Sequence, residues 1–301
     1  MSKNSMVTLM GNPKERLSFE IDLNPKVTIG IPAYNGAKTI EKAINSILAQ
    51  TFKDFELIIS DDASDDETGS ICQRYALKDS RIFYVRQVQN IGEYSNSKFL
   101  LSKAKGKYFM WLANDDWLSP EFVEVNVSAL DSNLKFVAST SPNCFEGNEN
   151  DTNKYIDFNL EGATKQRFVK FLQNAWYSHA IYYSLKRTKV LKSYKNLNSS
   201  YIAADWSLNL FLLSKGEINR TKEGLIVFGK FGISMSKNPW KDGRRKKIEF
   251  FIPLYEFTKY ALVLMKNLNY HEWLHVFIKL LKANIQAMLD SYKKTIKDFI
   301  K

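Results

Sequence analysis

The chain switches between short apolar runs and longer stretches whose apolar residues recur at helical spacing. Val27-Thr28-Ile29-Gly30-Ile31 is a β-rich run closed by the turn residues Pro32-Ala33-Tyr34-Asn35-Gly36. Over residues 39–50, Ile40, Ala43, Ile44, Ile47 and Leu48 fall on one helical face with polar residues between them. Residues 55–60 read as a buried strand that ends in Asp61-Asp62-Ala63-Ser64-Asp65-Asp66. The alternation then continues with a helix over 68–77, a strand over 81–85, a helix over 93–104 and a strand over 107–112. Pro120 opens a further helix over 121–131.

Strands alternating with helices predict an α/β fold, with a Rossmann-type, mostly parallel sheet flanked by helices. In such a sheet the carboxyl ends of the strands share one edge, where ligands bind. Tyr34 and Asn35 follow the first strand, Asp61 and Asp62 the second, and Asn114, Asp115 and Asp116 the fourth. Three strand ends therefore deliver polar or acidic groups to one rim. Beyond residue 131 the pattern loosens. Residues 136–140 read as a strand, 143–165 as a polar loop, and 166–240 as mixed short elements. From Ile248 the helical spacing returns as a C-terminal helical extension, broken near Asn267-Leu268-Asn269.

Charge changes the picture only at the end of the chain. The net charge is +11 over 301 residues, yet residues 241–301 hold 13 Lys/Arg against 6 Asp/Glu. The tail is thus a basic amphipathic segment. Its apolar face (Trp273, Leu274, Phe277, Ile278, Leu280 and Leu281, beside Lys279 and Lys282) fits packing on the domain or peripheral contact with an anionic membrane. No nucleic-acid-binding module accompanies the basic residues, so no nucleic-acid partner is expected. No run reaches the ~18 uncharged apolar residues of a membrane span, and the N-terminus shows no signal-peptide pattern. The expected location is cytoplasmic, at the inner face of the cell membrane if the tail docks there. Cys72 and Cys144 belong to no CxxC or Cys/His cluster and read as small buried residues.

The chemistry is concentrated in acids. Adjacent carboxylates at a strand end repel one another, and a hard divalent cation, Mn²⁺ or Mg²⁺, relieves that repulsion while bridging to phosphate oxygens. Asn114-Asp115-Asp116 has that form; the alternative is a capping cluster for the helix after Pro120. Asp61 and Asp62 sit at their strand's end, where a carboxylate can accept from a ribose hydroxyl or a base N–H, whereas Asp65 or Asp66 suits helix capping. GxGxxG and GxxxxGK[ST] loops are both absent, which argues against dinucleotide and P-loop sites.

Taken together, these segments resemble the opening of family 2 glycosyltransferases with the GT-A fold. The matching runs are Val27 to Asn35, Ser46-Ile47-Leu48-Ala49-Gln50-Thr51, Glu56 to Thr68, Asn90-Ile91-Gly92, Ala104-Lys105-Gly106-Lys107-Tyr108-Phe109, and Trp111 to Pro120, which is similar to the family's DXD segment. The resemblance implies a nucleotide-sugar-binding half over 26–130, an acceptor half over 131–240, a helical tail over 241–301 and an extension over 1–25. It implies that Pro32, Ala33, Tyr34, Asn35, Asp61, Asp62, Asn90, Gly92, Asn114 and Asp115 hold the nucleotide sugar. The metal would fall to Asp115, with Asp116 in support. Ala113 departs from the family, which often has Asp there.

Ala203-Ala204-Asp205-Trp206-Ser207-Leu208 resembles the segment that carries the family's base. An inverting transfer needs one carboxylate to take the acceptor hydroxyl's proton, and Asp205 is the candidate; a helix N-cap is its structural alternative. His179 and Trp206 are candidates for the acceptor side. Phe231 to Ser236 resembles a loop that closes over the donor, near Lys237 and Arg244. The implied reaction moves a sugar from a nucleotide-sugar donor, a UDP-sugar, to a glycan or lipid-linked glycan acceptor in surface-polysaccharide assembly. A nucleotidyltransferase and a non-catalytic sugar-nucleotide-binding homologue are the rival functions. The first lacks its glycine-rich basic loop, and the second rests on Ala113.

Overall fold

The computed structural model describes residues 25–149, 159–197, 201–230 and 246–300. In chain order the strands are β1 (Val27–Ala33), β2 (Phe55–Asp61), β3 (Ile82–Arg86), β4 (Tyr108–Trp111), β5 (Trp117–Leu118), β6 (Phe136–Thr140), β7 (Asn143–Phe145), β8 (Leu185–Arg187), β9 (Glu217–Arg220) and β10 (Ile226–Phe228). The helices are α1 (Ile40–Leu48), α2 (Thr68–Lys78), α3 (Glu93–Lys103), α4 (Phe122–Ser132), α5 (Thr164–Asn174), α6 (His179–Tyr182), α7 (Thr188–Lys192), α8 (Ala204–Lys215), α9 (Tyr255–Leu264) and α10 (Tyr270–Ile300).

Among the described residues, seven strands form one sheet in the order β3-β2-β1-β4-β8-β6-β9. The pairings β3–β2, β2–β1, β1–β4 and β6–β9 are parallel, and β8 runs antiparallel to both β4 and β6. The expected mostly parallel sheet flanked by helices is what forms. Both faces are covered, so β2 is buried at every position, as fully covered parallel strands are. Leu57, Ile59, Tyr108 and Met110 join the apolar cluster on one face, while Ile58, Phe109 and Trp111 join the other. That alternation is the two-residue period of the strand. Helix α1 buries Ile40, Ala43, Ile44 and Ile47 against the sheet, the face its spacing predicted.

The sequence reading missed two kinds of element. Residues 143–165 were expected to be loop, yet Asn143–Phe145 is a strand because β10 pairs with it in parallel. Trp117–Leu118 is a strand because β10 also pairs with it, antiparallel. Strands of two or three residues carry no readable alternation; the partner, 80 or more residues away in the chain, makes them. The result is a second sheet, β5-β10-β7, which stitches the segment after β4 to the second half of the chain. Cys72 and Cys144 are free and buried, and burial pushes their thiols up to about 12 and about 11.

The α3–β4 connection is seated on the start of β1. Thr28 Oγ1 donates to Glu56 Oε1, Gly106 N–H donates to Thr28 Oγ1 at 2.8 Å, and Lys105 N–H donates to Glu56 Oε1 at 3.1 Å. Gly106 has no room for a side chain. A Cβ there would lie 2.5 Å from Thr28 N and 2.8 Å from the Tyr108 carbonyl oxygen, both rigid backbone. Gly106→Ala is therefore expected to lower stability by about 1–3 kcal/mol, the usual range for overpacking. Urea denaturation measures this; an unchanged midpoint would show that the seat is not tight.

Candidate functional site

Strand β1 carries hydrogen-bonded neighbours on both sides, and the ladders run past its end. Asp62 N–H donates to Ala33 O at 2.8 Å, and Leu112 N–H to Gly30 O at 3.0 Å. The segments after β2 and β4 are thereby held beside the segment after β1, and the three expected clusters share one rim. A polar web fixes the first two. Asn35 N–H donates to Ser64 Oγ, Asp65 N–H to Asn35 Oδ1, Gly36 N–H to Thr68 Oγ1 and Ala37 N–H to Asp66 Oδ2, all at 2.8 to 3.0 Å. Asp66 also accepts from Thr68 N–H at 2.9 Å from one residue before the N-cap of α2, a position that Glu67 holds in place of the expected aspartate. Asn114 Nδ2 reaches the Tyr34 carbonyl at 3.5 Å. It lies so close over Gly36 that a Cβ there would come within 2.2 Å of Asn114 Nδ2. Pro32 is half-buried and Ala33 buried, while Tyr34 stands exposed at the rim, a free aromatic face for a base.

The two acids after β2 do different work from that expected. Asp61 is fully buried and accepts from Ser64 N–H (2.9 Å), Tyr84 Oη (2.8 Å) and Arg86 Nη1 (2.7 Å). Its oxygens are turned to the protein, so Asp61 braces β2 against β3 and is not a nucleotide contact. Asp62 is also buried and accepts from Ile91 N–H at 2.7 Å and Gly92 N–H at 2.9 Å. It shapes the Asn90-Ile91-Gly92 turn, where Asn90 Oδ1 takes Gly92 N–H as well and Gly92 sits at φ 84°. That turn delivers Glu93 to the first position of α3.

The Asn114-Asp115-Asp116 segment is not a helix cap. α4 begins at Phe122 with Glu121 at its cap position, and β5 intervenes. Asp116 is buried, and its Oδ1 accepts from Gly229 N–H at 2.9 Å. Burial, then the neighbouring Asp115 charge, raise its carboxyl to about 8, opposed by that N–H. Gly229 follows β10 directly and is cradled against Asp115. A Cβ on it would sit 2.3 Å from the Asp115 carbonyl oxygen and 2.9 Å from Oδ2. Among the described residues no three His, Cys, Asp or Glu side chains group as a metal cage. What is present fits a cation of another kind: half-buried Asp115 at the rim with Asp116 behind it. This is a hard-oxygen donor set of the size Mg²⁺ or Mn²⁺ takes when phosphates complete the shell.

Across the cleft, Asp205 lies in the first turn of α8. The N-cap is Ala203, at φ 65°, so Asp205 is not the cap. Its carboxyl is raised to about 6, chiefly by burial; the N–H groups of Trp206 and Asp205 pull it down, and the Glu93 charge pushes it up. Burial raises Glu93 too. Glu93 keeps exposed surface although protein crowds its carboxyl, as happens to groups lining a concavity. The neighbouring tyrosines join the two acidic groups. Tyr182 is raised by burial and then by Glu93, Tyr94 and Asp205, and Tyr183 by burial and then by Asp116, Tyr182, Glu93 and Asp115. Tyr182 lines a pocket with Asp205 and Tyr94, and its neighbour Tyr183 is close enough to Asp116 and Asp115 to feel their charge.

His179 is edge-on to Phe145 at 6.1 Å and Phe228 at 6.3 Å, against the small sheet that carries Asp115 and Asp116, and burial lowers its pKa. Trp206 occupies a different place from the acceptor side expected of it. Its ring packs in the core against Trp176 (4.9 Å), Phe257 (5.8 Å) and Phe171 (6.4 Å) because the helix phase turns it away from Asp205. Sequence reasoning missed Glu93, Tyr182, Tyr183 and Gly229. Glu93 carried a signal, an acid directly after the Asn90-Ile91-Gly92 motif; the others lay in stretches without a period. Phe231 to Ser236, Lys237, Arg244 and the extension over 1–24 lie outside the described residues.

A family model described as "Glycosyl transferase family 2" matches residues 28–193. GlyA of Streptococcus pneumoniae serotype 4 is 32% identical over 34% of this chain, which spans 14% of that protein's length. EpsJ of Bacillus subtilis, an uncharacterized glycosyltransferase, is 26% identical over 89% of this chain and 80% of its own. A GalNAc(5)-diNAcBac-PP-undecaprenol beta-1,3-glucosyltransferase of Campylobacter jejuni is 39% identical over 31% of each chain. Among solved structures, S. aureus TarS 1-349 in complex with UDP is similar with a TM-score of 0.59 at 19% identity, covering 86% of this chain and 70% of that one. The mannosyltransferase PcManGT of Pyrobaculum calidifontis, solved with GDP-Man and Mn²⁺, gives 0.57 at 15% identity over 89% and 73%. At these identities the likeness is one of fold.

Two outcomes test this geometry. Asp205 is harder to ionise folded than unfolded, since its folded carboxyl sits near 6 against an ordinary 3.8. Its charge therefore lowers stability fully above pH 6, and the penalty fades as pH falls and is gone only well below 3.8, where both states are protonated. Asp205→Asn is expected to raise Tm at pH 7.5 and to raise it far less at pH 4; a lower Tm at pH 7.5 would mark Asp205 as a structural support. Gly229→Ala is expected to displace Asp115 and weaken nucleotide-sugar binding at least 10-fold in calorimetry. Wild-type affinity would show that the cradle is dispensable.

Proposed function

Because this chain belongs to glycosyl transferase family 2, we propose that it is an inverting glycosyltransferase that carries a sugar from a UDP-sugar to a hydroxyl of a glycan or lipid-linked glycan in surface-glycan assembly. The observation that carries the reading is Asp205, half-buried in a pocket with Tyr94 and Tyr182 and with its carboxyl raised to about 6, while Tyr183 next to Tyr182 feels Asp116 and Asp115. A base of that pKa is ionised at neutral pH yet takes a proton more readily than an exposed aspartate. The UDP complex of the TarS fragment supports the donor class, and the lipid pyrophosphate in the Campylobacter enzyme's name supports the acceptor class.

In this reading the donor's nucleotide lies along the rim of Pro32, Ala33, Tyr34 and Asn35, with the base over Tyr34 and the ribose near Asn114. Asp62 contributes by fixing the turn at Asn90 and Gly92. Asp115 faces the diphosphate, and Asp116 holds the segment through Gly229. Asp115, with Asp116 behind it, would hold a divalent cation, whose charge would offset that on the diphosphate. Asp205 accepts the proton of the acceptor hydroxyl as its oxygen bonds to the anomeric carbon. The anomeric C–O bond to the diphosphate breaks, and the nucleoside diphosphate leaves with that electron pair. His179 borders the acceptor cleft as a neutral ring.

A thermal-shift screen of nucleotide sugars with and without Mn²⁺ identifies the donor, because a ligand of the folded state raises apparent stability. Asp115→Ala is expected to remove the Mn²⁺-dependent part of the shift. With that donor, Asp205→Asn is expected to lower kcat by roughly 10²–10⁴ while donor affinity stays within 3-fold. The wild-type rate should rise through pH 6 and level off above it. Undiminished turnover in Asp205→Asn would overturn the assignment of the base.

A further inference from the structure

Helix α10 is apolar on two opposite faces. One face buries Val276, Leu280, Ala283 and Ala287 against the domain, where α10 packs on α5 and Asn284 Nδ2 donates to Thr258 of α9 at 2.8 Å. The other face is bare. Leu274, Ile285 and Ile296 are eleven residues apart, as are Ile278 and Leu289, and Leu281 and Tyr292; each is between 40% and 57% exposed. The stripe runs roughly 33 Å along the helix at 1.5 Å per residue. Basic residues keep the same repeat: Lys282 and Lys293, both exposed, follow Leu281 and Tyr292 by one position. Among the described side chains of α10 the acids have local partners, Glu272 with Asn269 N–H and Asp290 with Gln286. In the segment leading to α9, Ile248, Phe250 and Phe251 are also exposed, directly after Lys246 and Lys247.

We propose that this stripe docks the protein on an anionic bilayer surface, with α10 lying in the interface plane. Charge selects this occupant. Pairing two copies would bring together tails that each hold 13 basic against 6 acidic residues, whereas an anionic surface attracts them. Geometry agrees. An eleven-residue repeat, 3.67 residues per turn, stays nearer the straight helix's 3.6 than the 3.5 of a two-stranded coiled coil, so the stripe keeps to one side of a straight rod and suits a flat surface. No helix among the described residues is long and apolar enough to cross a membrane, and α10 is seated as a helix that lies on one. The proposal bears on the lipid-linked acceptor named above, but vesicle binding reads it independently of sugar transfer.

The test is co-sedimentation of the full chain with vesicles of phosphatidylcholine alone and with 30% phosphatidylglycerol, alongside light scattering after gel filtration. Wild type is expected to pellet with the anionic vesicles at least 10-fold more than with the neutral ones. Lys282→Glu/Lys293→Glu should weaken that binding by roughly 5-fold or more per charge, from about 1 kcal/mol each. Leu281→Ser/Ile285→Ser should weaken it at least 10-fold with unchanged circular dichroism. Wild type left in the supernatant with both vesicle types would overturn the proposal. So would a dimer that Leu281→Ser/Ile285→Ser splits into monomers while neither protein binds vesicles, since the stripe would then belong to a second copy.

Discussion

Parallel pairing of β1 on both its edges is the constraint from which the site follows. β2 and β4 can each reach their carboxyl ends only beside the carboxyl end of β1, because the ladder on each side fixes direction and register. Whatever residues follow those three strands must therefore meet. Here they are an exposed tyrosine, a pair of buried acids and the Asn114-Asp115-Asp116 run. The glycines at the contacts are consequences of this crowding: Gly36 lies under Asn114, and Gly229 lies against Asp115.

The second constraint is electrostatic. Burial is the first cause that raises Asp116, Glu93 and Asp205, and neighbouring acids add to it at Asp116 and Asp205. An assembly of like charges in low dielectric is destabilising until something positive or proton-bearing enters. In the proposed reaction, a cation accompanying the nucleotide sugar and the proton given up by the acceptor hydroxyl would supply both. The groups that are not used this way, Asp61 and Asp66, are neutralised within the fold by an arginine, a tyrosine and backbone N–H groups.

The match to glycosyl transferase family 2 covers residues 28–193. The C-terminal helices are outside that match, and they divide their apolar surface between the domain and solvent. A helix that buried only one face would need no second stripe. The repeat of Leu and Ile on the outer face, in step with Lys282 and Lys293, sets α10 apart from a simple brace.

The sequence alone determined the α/β order of the first 130 residues, because each element there is long enough to display its own period. It also placed Asp62 after β2 and Asp115 after β4, since strand-end position follows from strand order. It did not determine β5, β7 or β10, two- and three-residue strands made by partners distant in the chain. Nor did it distinguish Asp61, turned inward to Arg86, from Asp62, or show that Trp206 faces the core while its neighbour Asp205 faces the cleft. Those differences turn on which way one side chain points within a packed layer, and only the tertiary contacts of Tyr84, Trp176 and Gly229 decide that.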